Sequence, residues 1–281
     1  MSGTLFVVAT PIGNLEDITL RALRVLREAD VIAAEDTRRT AKLLAHYAIS
    51  TPTLSFHEHN TRTRLPQILS RLEANARVAL VTDAGTPGIS DPGIELVRAC
   101  VGKGIPIDPI PGPSAPLTAA IASGFPLAPL TILGFTPTRP KERKLWMNRL
   151  KATNNTITFF EVPHRIERTL SEVTEYLGDR PILVARELTK LHQQFIRGTA
   201  SALIGQLPNP KGEFTVVVGP ESHKVAPNNM VNDLDIFAEF GRLTDSRWGD
   251  RRSVVSALAK KYGMSSKQIY ITIERIKRSV E

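Results

Sequence analysis

Acidic and basic side chains gather where short apolar runs end. The runs at 31–34, 156–160 and 181–185 deliver Glu35-Asp36, Glu161 and Arg186-Glu187, the run at 77–81 leads through Thr82 to Asp83, and the run at 52–56 leads into His57-Glu58-His59-Asn60. Carboxylates and imidazoles so placed can accept a proton, which makes Glu35, Asp36, His57, Glu161 and Glu187 candidate general bases. Arg186 and Lys190 can stabilise an alkoxide or hold a phosphate. Glu35-Asp36, followed by Thr37-Arg38-Arg39, reads equally as a binding edge and as a helix cap with its ion pairs. In extended chain His57 and His59 share one side, as two metal ligands would, but no third or fourth ligand accompanies them, and no metal is expected. Ordinary loop histidines are the competing description.

Helices and strands must carry these groups, and the loops between them are distinctive. Residues 80–93 read Leu-Val-Thr-Asp-Ala-Gly-Thr-Pro-Gly-Ile-Ser-Asp-Pro-Gly. The strand 77–81 has to stop at Thr82, because the residues beyond it are dense in types that forbid helix and strand alike. Gly85 and Gly88 open backbone angles closed to other residues, so the loop can press its backbone against a ligand. Ser90 or Asp91 as cap and Pro92 at the first helical position then start a helix over 92–102. Two further strands, 4–9 and 106–110, end in Thr10-Pro11-Ile12-Gly13-Asn14-Leu15 and Pro111-Gly112-Pro113-Ser114-Ala115, each ahead of a helix. In an open parallel sheet three such loops can line one crevice. The alternative is a set of tight connections with no ligand.

The rest of the chain supplies the scaffold. Asp17 or Thr19 caps a helix whose inner face is Leu20, Leu23, Val25 and Leu26; another runs through Leu43, Leu44 and Tyr47; Ser114 starts a third that stops at Gly124. A second half restarts with the strand 130–135 and a basic helix over 141–150. There Leu145, Trp146 and Leu150 pack and Lys141, Arg143, Lys144 and Arg149 face outward. Strands at 156–160, 181–185, 194–198 and 214–218 form a mixed sheet that the last one closes. The resulting division is 1–120, 121–221, a linker over 222–229 within the Pro- and Asn-rich stretch 220–229, and a helical tail over 230–281.

Residues 241–281 hold ten basic and four acidic residues, +6 of the formal +8, which suggests a polyanion-binding appendage on a nearly balanced body. Val254, Val255, Leu258 and Ala259, then a turn at Tyr262-Gly263-Met264, then a helix capped by Ser265 or Ser266 and carrying Ile269, Tyr270, Ile273 and Ile276, have helix-turn-helix proportions. Lys267 and Gln268 fall near the second helix's N-terminus, where nucleic-acid contacts are often made. A packing or dimer module is the rival. No run approaches the ~18 apolar residues of a membrane span, and a cytoplasmic protein is expected. Cys100 is the only cysteine, so no intramolecular disulfide forms, and its place in an apolar run makes it a core thiol.

The ordered motifs Thr10-Pro11-Ile12-Gly13-Asn14-Leu15, Glu35-Asp36-Thr37-Arg38, Asp83-Ala84-Gly85-Thr86-Pro87, Pro111-Gly112-Pro113-Ser114-Ala115 and Arg186-Glu187-Leu188-Thr189-Lys190 resemble those of the ribosomal RNA small subunit methyltransferase I family, a branch of the tetrapyrrole methylase superfamily. The likeness runs from about residue 4 to 220. It implies two α/β domains with a cleft between them plus the small helical domain. The activity it implies is methyl transfer from S-adenosyl-L-methionine to the ribose 2′-hydroxyl of a cytidine in 16S ribosomal RNA. It also implies that the donor touches Pro11, Asp83, Gly85, Thr86, Ser114, Ala115, Val162, Leu191, Glu213 and Phe214, that the small ribosomal subunit or its RNA is the partner, and that the chain is a homodimer. A similar His-x-His-Asn in that family offers His57 a place on the RNA side of the cleft. Other branches methylate tetrapyrroles or a modified histidine (diphthine-type enzymes) and have no need of a basic tail. A non-enzymatic, ligand-sensing regulator whose tail binds duplex DNA is a third reading.

Overall fold

The computed structural model describes residues 3–89, 93–207, 211–221, 233–245, 250–262 and 264–280. Five strands, β1 (Thr4–Val8), β2 (Val31–Ala34), β3 (Thr53–Ser55), β4 (Arg77–Val81) and β5 (Ile107–Ile110), form a fully parallel sheet in the order β3-β2-β4-β1-β5. Helices α1 (Leu20–Glu28), α2 (Thr37–His46), α3 (Thr61–Glu73) and α4 (Ile94–Gly102) make the crossovers. The chain steps one way across the sheet from β1 to β3 and the other way from β3 to β5. Right-handed crossovers therefore put α1 and α2 on one face and α3 and α4 on the other. The core is built accordingly: Phe6, Val8, Ile32 and Ala34 pack with Leu23, Leu26 and Leu43, while Leu5, Val31, Ala33 and Leu80 pack with Ile68, Leu72 and Leu96. Strands buried on both faces must be apolar, as β2 is throughout and β4 is beyond its first residue, the half-buried Arg77.

This order fixes where a ligand can sit. β2 connects outward to β3 and β4 connects the opposite way to β5, so the crevice at the carboxyl edge opens between β2 and β4, where Glu35 and Asp83 emerge.

The second sheet comprises β6 (Leu130–Phe135), β7 (Thr156–Glu161), β8 (Pro181–Arg186), β9 (Gln194–Thr199) and β10 (Phe214–Val218), and it is mixed as expected. Its order is β6-β7-β10-β8-β9. The last strand is thus inserted at the centre, antiparallel to both neighbours, instead of closing an edge; all five of its residues are buried, which suits a central strand. α5 (Ala115–Ser123) covers one face, with Ala119 against Leu183, Ala185 and Val217. α6 (Pro140–Ala152), α7 (Ile166–Leu177) and α8 (Ala200–Leu203) cover the other through Trp146, Leu150, Leu170 and Leu203.

Three local expectations change. Leu20 opens α1 outside the packed stripe and is exposed, leaving Ala22, Leu23, Val25 and Leu26 inside. On α6 Arg143 is buried and Leu145 exposed: the Arg143 guanidinium donates to Glu172 Oε2 at 2.6 Å, Thr169 Oγ1 at 2.7 Å and the Pro137 carbonyl at 3.2 Å, so it bridges α6 to α7. The helix expected over 92–102 begins at Ile94 behind Gly93; the proposed caps Ser90 and Asp91, and Pro92, lie outside the described residues. α3, which carries Pro66 inside it, has no counterpart among the expectations.

Residues to Ser222 form one compact unit and those from His223 a second. In the second, α9 (Asp233–Asp245), α10 (Arg251–Tyr262) and α11 (Ser266–Val280) pack around Ile236, Val254, Leu258, Ile269 and Ile273. Ser265 caps α11 reciprocally with Gln268: its hydroxyl accepts the Gln268 amide at 3.2 Å, and its own amide donates to Gln268 Oε1 at 2.9 Å. Gly263 and the whole expected linker, 222–229, lie outside the described residues. Among the described residues no helix is long and apolar enough to cross a membrane.

Arg180 ties the ends of the second sheet. It is 5% exposed and donates to the carbonyls of Gly219 (2.8 Å from Nε), Thr153 (2.9 Å) and Asn155 (3.0 Å). R180M keeps the stem but leaves three carbonyls short of a donor, and the expected loss is about 2–4 kcal/mol. Urea unfolding checks this; an unchanged midpoint contradicts it.

Candidate functional site

Backbone bonds hold the loops of the first sheet together. Thr10 and Gly85 exchange amide and carbonyl at 2.9 and 3.0 Å, so the loops after β1 and β4 form a two-residue bridge. Gly85 sits at φ +83°, and a Cβ there would reach Ile12 at 3.5 Å. Thr10 Oγ1 donates to the Thr82 carbonyl at 3.1 Å, and Thr86 Oγ1 donates to the Pro113 carbonyl at 3.2 Å, which adds the loop after β5. A Cβ on Gly112 would stand 2.9 Å from that of Ala9. This close approach of β1 to the Pro-Gly-Pro loop needs glycine.

The ends of β2 and β4 clasp each other through carboxylates. Glu35 Oε2 accepts the Asp83 amide at 3.1 Å, and Asp83 Oδ1 accepts the Asp36 amide at 3.1 Å. Arg39, one turn into α2, brings Nη1 to 3.4 Å from Asp83 Oδ2. Burial pushes the Glu35 carboxyl up, the Asp83 amide pulls it down, the Asp83 charge pushes it up again, and the net shift is upward. Burial likewise raises Asp83 against the opposing pull of Arg39. Asp36 has a different task. It caps α2 through the Arg38 amide at 2.9 Å and pairs with the Arg38 guanidinium at 2.8 Å, whose hydrogen bonds hold its carboxyl far below the usual range.

Together the two sheets enclose a cavity of about 440 Å³, within the size range of small-molecule sites. Its walls include Glu35, Asp83, Gly85, Thr86, Ser114 and Ala115 from the first sheet and α5, and Val162, Glu213 and Phe214 from the second. Ser114 Oγ, at its wall, is buried without a hydrogen-bond partner. Pro11 lines a neighbouring cavity of about 140 Å³ that shares Arg39 and Asp83. Leu191 lies outside both and is exposed. Arg39, Ile12, Ile89, Leu188, Phe135 and Phe160 also line the larger cavity and were not among the expected residues. Arg39 was signalled by its place one helical turn after Glu35, and Ile12, Ile89 and Leu188 lie inside the loop motifs already singled out; no local signal marks Phe135 or Phe160.

Glu161 reaches the same wall, but its carboxylate is committed. It accepts from Thr136 Oγ1 and Thr169 Oγ1 at 2.5 Å each and from the Val162 amide at 2.8 Å, and it pairs with Arg165 at 2.9 Å. Glu187 and Lys190 stand behind the wall. Lys190 Nζ donates to Glu187 Oε1 at 2.9 Å and Glu213 Oε2 at 3.0 Å, and Glu187 Oε1 also accepts the Glu213 amide at 2.9 Å. Burial raises the Glu187 carboxyl, but the Lys190 and Glu213 bonds outweigh it and the net shift is downward. His57 is outside the cavity; its ring lies 5.9 Å from that of His59, which pairs with Glu58 at the surface. Among the described residues no three His, Cys, Asp or Glu side chains form a metal-holding group.

The two halves interlock at Gly13. A Cβ there would stand 2.7 Å from the Leu188 carbonyl and 2.6 Å from Lys190 Cγ, so G13A forces the β1 loop off the 188–190 loop; the expected cost is about 1–3 kcal/mol by urea unfolding, and no change contradicts the interlock. A carboxyl raised on folding binds more protons folded than unfolded between its two pKa values, so stability falls as pH climbs through that window. E35Q removes that loss. Its thermal midpoint is expected above wild type at about pH 7.5, with the gap closing below about pH 4; a lower midpoint at neutral pH contradicts it.

Comparison with known proteins extends this geometry. Residues 4–204 match the family model of tetrapyrrole (corrin/porphyrin) methylases. The ribosomal RNA small subunit methyltransferase I of Halalkalibacterium halodurans is 46% identical, covering 81% of this chain and 80% of its own. The protein of the same name from Thermotoga maritima is 50% identical over 77% of this chain and 98% of its own. Uroporphyrin-III C-methyltransferase from Thermus thermophilus shares the fold, with a TM-score of 0.55 at 20% identity over 77% of this chain and 94% of that one. Two sheets with a carboxylate-edged cavity between them, and sequence identity of this extent, place the chain in the tetrapyrrole methylase family, in the branch of the ribosomal RNA small subunit methyltransferases I.

Proposed function

We propose that the chain methylates the ribose 2′-hydroxyl of a cytidine in 16S ribosomal RNA, with S-adenosyl-L-methionine as donor, in the cytoplasm. The names of the relatives support the RNA substrate, and the cavity supports the donor. The carrying observation is one cavity that combines two carboxylates, Glu35 and Asp83, with the buried, unpartnered Ser114 Oγ. A cationic nucleoside fits such a lining: carboxylates favour its charge, and a hydroxyl without a protein partner is free to meet a polar atom of the ligand. When bound, the donor supplies an electrophilic methyl group.

The remaining work belongs to the protein. The Thr10–Gly85 bridge and the Thr86–Pro113 bond fix the loops against the ligand, and the Glu187–Lys190–Glu213 cluster fixes the opposite wall, so both reactants are held in line. Glu35 is the acceptor of the ribose proton. It lines the cavity, and its raised carboxyl is a stronger base than an exposed one, whereas Asp36, Glu161 and Glu187 are each held by several donors. Arg39 faces the two carboxylates and offers a guanidinium to an RNA phosphate. The basic tail adds sequence-independent attraction for the phosphate backbone. Leu117 and Ile121, exposed one turn apart on α5, support association as a homodimer.

Incubation with radiolabelled donor and undermethylated small ribosomal subunits, followed by nuclease digestion, tests the reading. Label is expected in 2′-O-methylcytidine, with E35Q slower by about 10²–10⁴-fold. Label on a base, or none, contradicts it.

A further inference from the structure

The edge strand β6 carries one residue more than its partner requires. Ile132 pairs with Thr158 and Phe135 with Phe160, so three steps on β6 match two on β7, and Gly134 takes up the difference at φ +68°. The pleat sets the consequence. Leu133 packs into the core beneath α6 and α7, and in an unbroken strand Phe135, two residues on, would follow it there. The bulge turns Phe135 to the side of Phe160 and onto the cavity wall, where it is 50% exposed, its ring centroid 5.1 Å from that of Phe160 at an interplanar angle of 44°. Gly134 supplies the left-handed backbone that the bulge needs at no steric cost, and the bulge leaves the Phe135 ring half exposed on the wall.

We propose that Phe135 is the platform on which the base of the acceptor nucleotide stacks, an assignment that rests on the RNA-methylating function proposed above. The cavity's volume suits one nucleoside-sized molecule. With the donor deep, against Ser114, the acceptor meets the rim, and Phe135 is the exposed aromatic ring there. Single-stranded or flipped bases are commonly held by stacking on such rings, which tolerates any base and leaves the ribose free to enter. Phe135 is in this sense a positioning residue for the ribose hydroxyl.

The test compares wild type with F135A, F135L and F135W, reading donor affinity by calorimetry, affinity for ribosomal RNA by direct binding, and methyl transfer. Phe135 is exposed enough for all three to fold, which unfolding midpoints check. F135A and F135L are expected to weaken RNA binding and raise KM for RNA by about fivefold or more, the ratio that about 1 kcal/mol of stacking represents. Their donor affinity is expected to stay within about twofold of wild type, as are all readings for F135W, whose face is at least as large. F135L indistinguishable from wild type, or a loss that falls on donor affinity, overturns the assignment. Wild type that transfers no methyl to RNA sinks the function itself, whereas active wild type with an indifferent F135L sinks only the role of Phe135.

Discussion

Two backbone hydrogen bonds between Thr10 and Gly85 set the geometry on which the rest of the site depends. A parallel sheet ends in loops that nothing in the sheet itself positions, since the ladder stops at Val8 and Val81. The exchange carries the pairing two residues further on one side and four on the other. It thereby aligns Asp83, whose carboxylate and amide then engage Asp36 and Glu35 in turn. The crevice expected from strand order alone becomes a walled site because these bonds hold its edge. Polar backbone that a ligand could otherwise distort is already satisfied.

Strain collects at the opposite wall. Glu187 and Thr189 hold φ of +51° and +64°, a region costly for residues with a Cβ. Such angles persist where neighbours over-determine them. Here Lys190, the Glu213 amide and the Asn14 amide, which donates to Thr189 Oγ1 at 3.0 Å, do so. Gly212, whose added Cβ would stand 2.3 Å from Glu187 Oε1, lets the turn before β10 close over the cluster. The Arg-Glu-Leu-Thr-Lys motif therefore reads as a joint between sheets: Glu187 and Lys190 brace it from the second sheet, Thr189 accepts the Asn14 amide of the first, and Leu188 between them reaches the cavity.

Much of the first sheet was legible because its strands are short apolar runs bounded by glycine and proline, and strand ends mark loop chemistry directly. Glu35, Asp83, Ser114 and the loop glycines were recoverable on that ground. The second sheet was less legible. Placing β10 at its centre depends on long-range pairing that no local pattern encodes, and Arg143 looked like a surface cation because its partners, Glu172 and Thr169, come from a helix about 26–29 residues on. Phe135 was hidden for a different reason. Periodicity reads a strand as unbroken, and one glycine inside it reverses the side on which the next residue emerges. The roles of Glu187 and Glu161 were ambiguous in sequence, since a carboxylate at a strand end looks the same whether it faces a ligand or several internal donors.

The central claim is that donor and carboxylates share one cavity. A crystal structure with S-adenosylhomocysteine, the demethylated donor, tests this most directly. The predicted result is density in the cavity between the two sheets, with Ser114 Oγ within hydrogen-bonding distance and the sulfur facing Glu35 and Asp83. Density on another surface, or in the cavity with the sulfur turned away from both carboxylates, contradicts the claim.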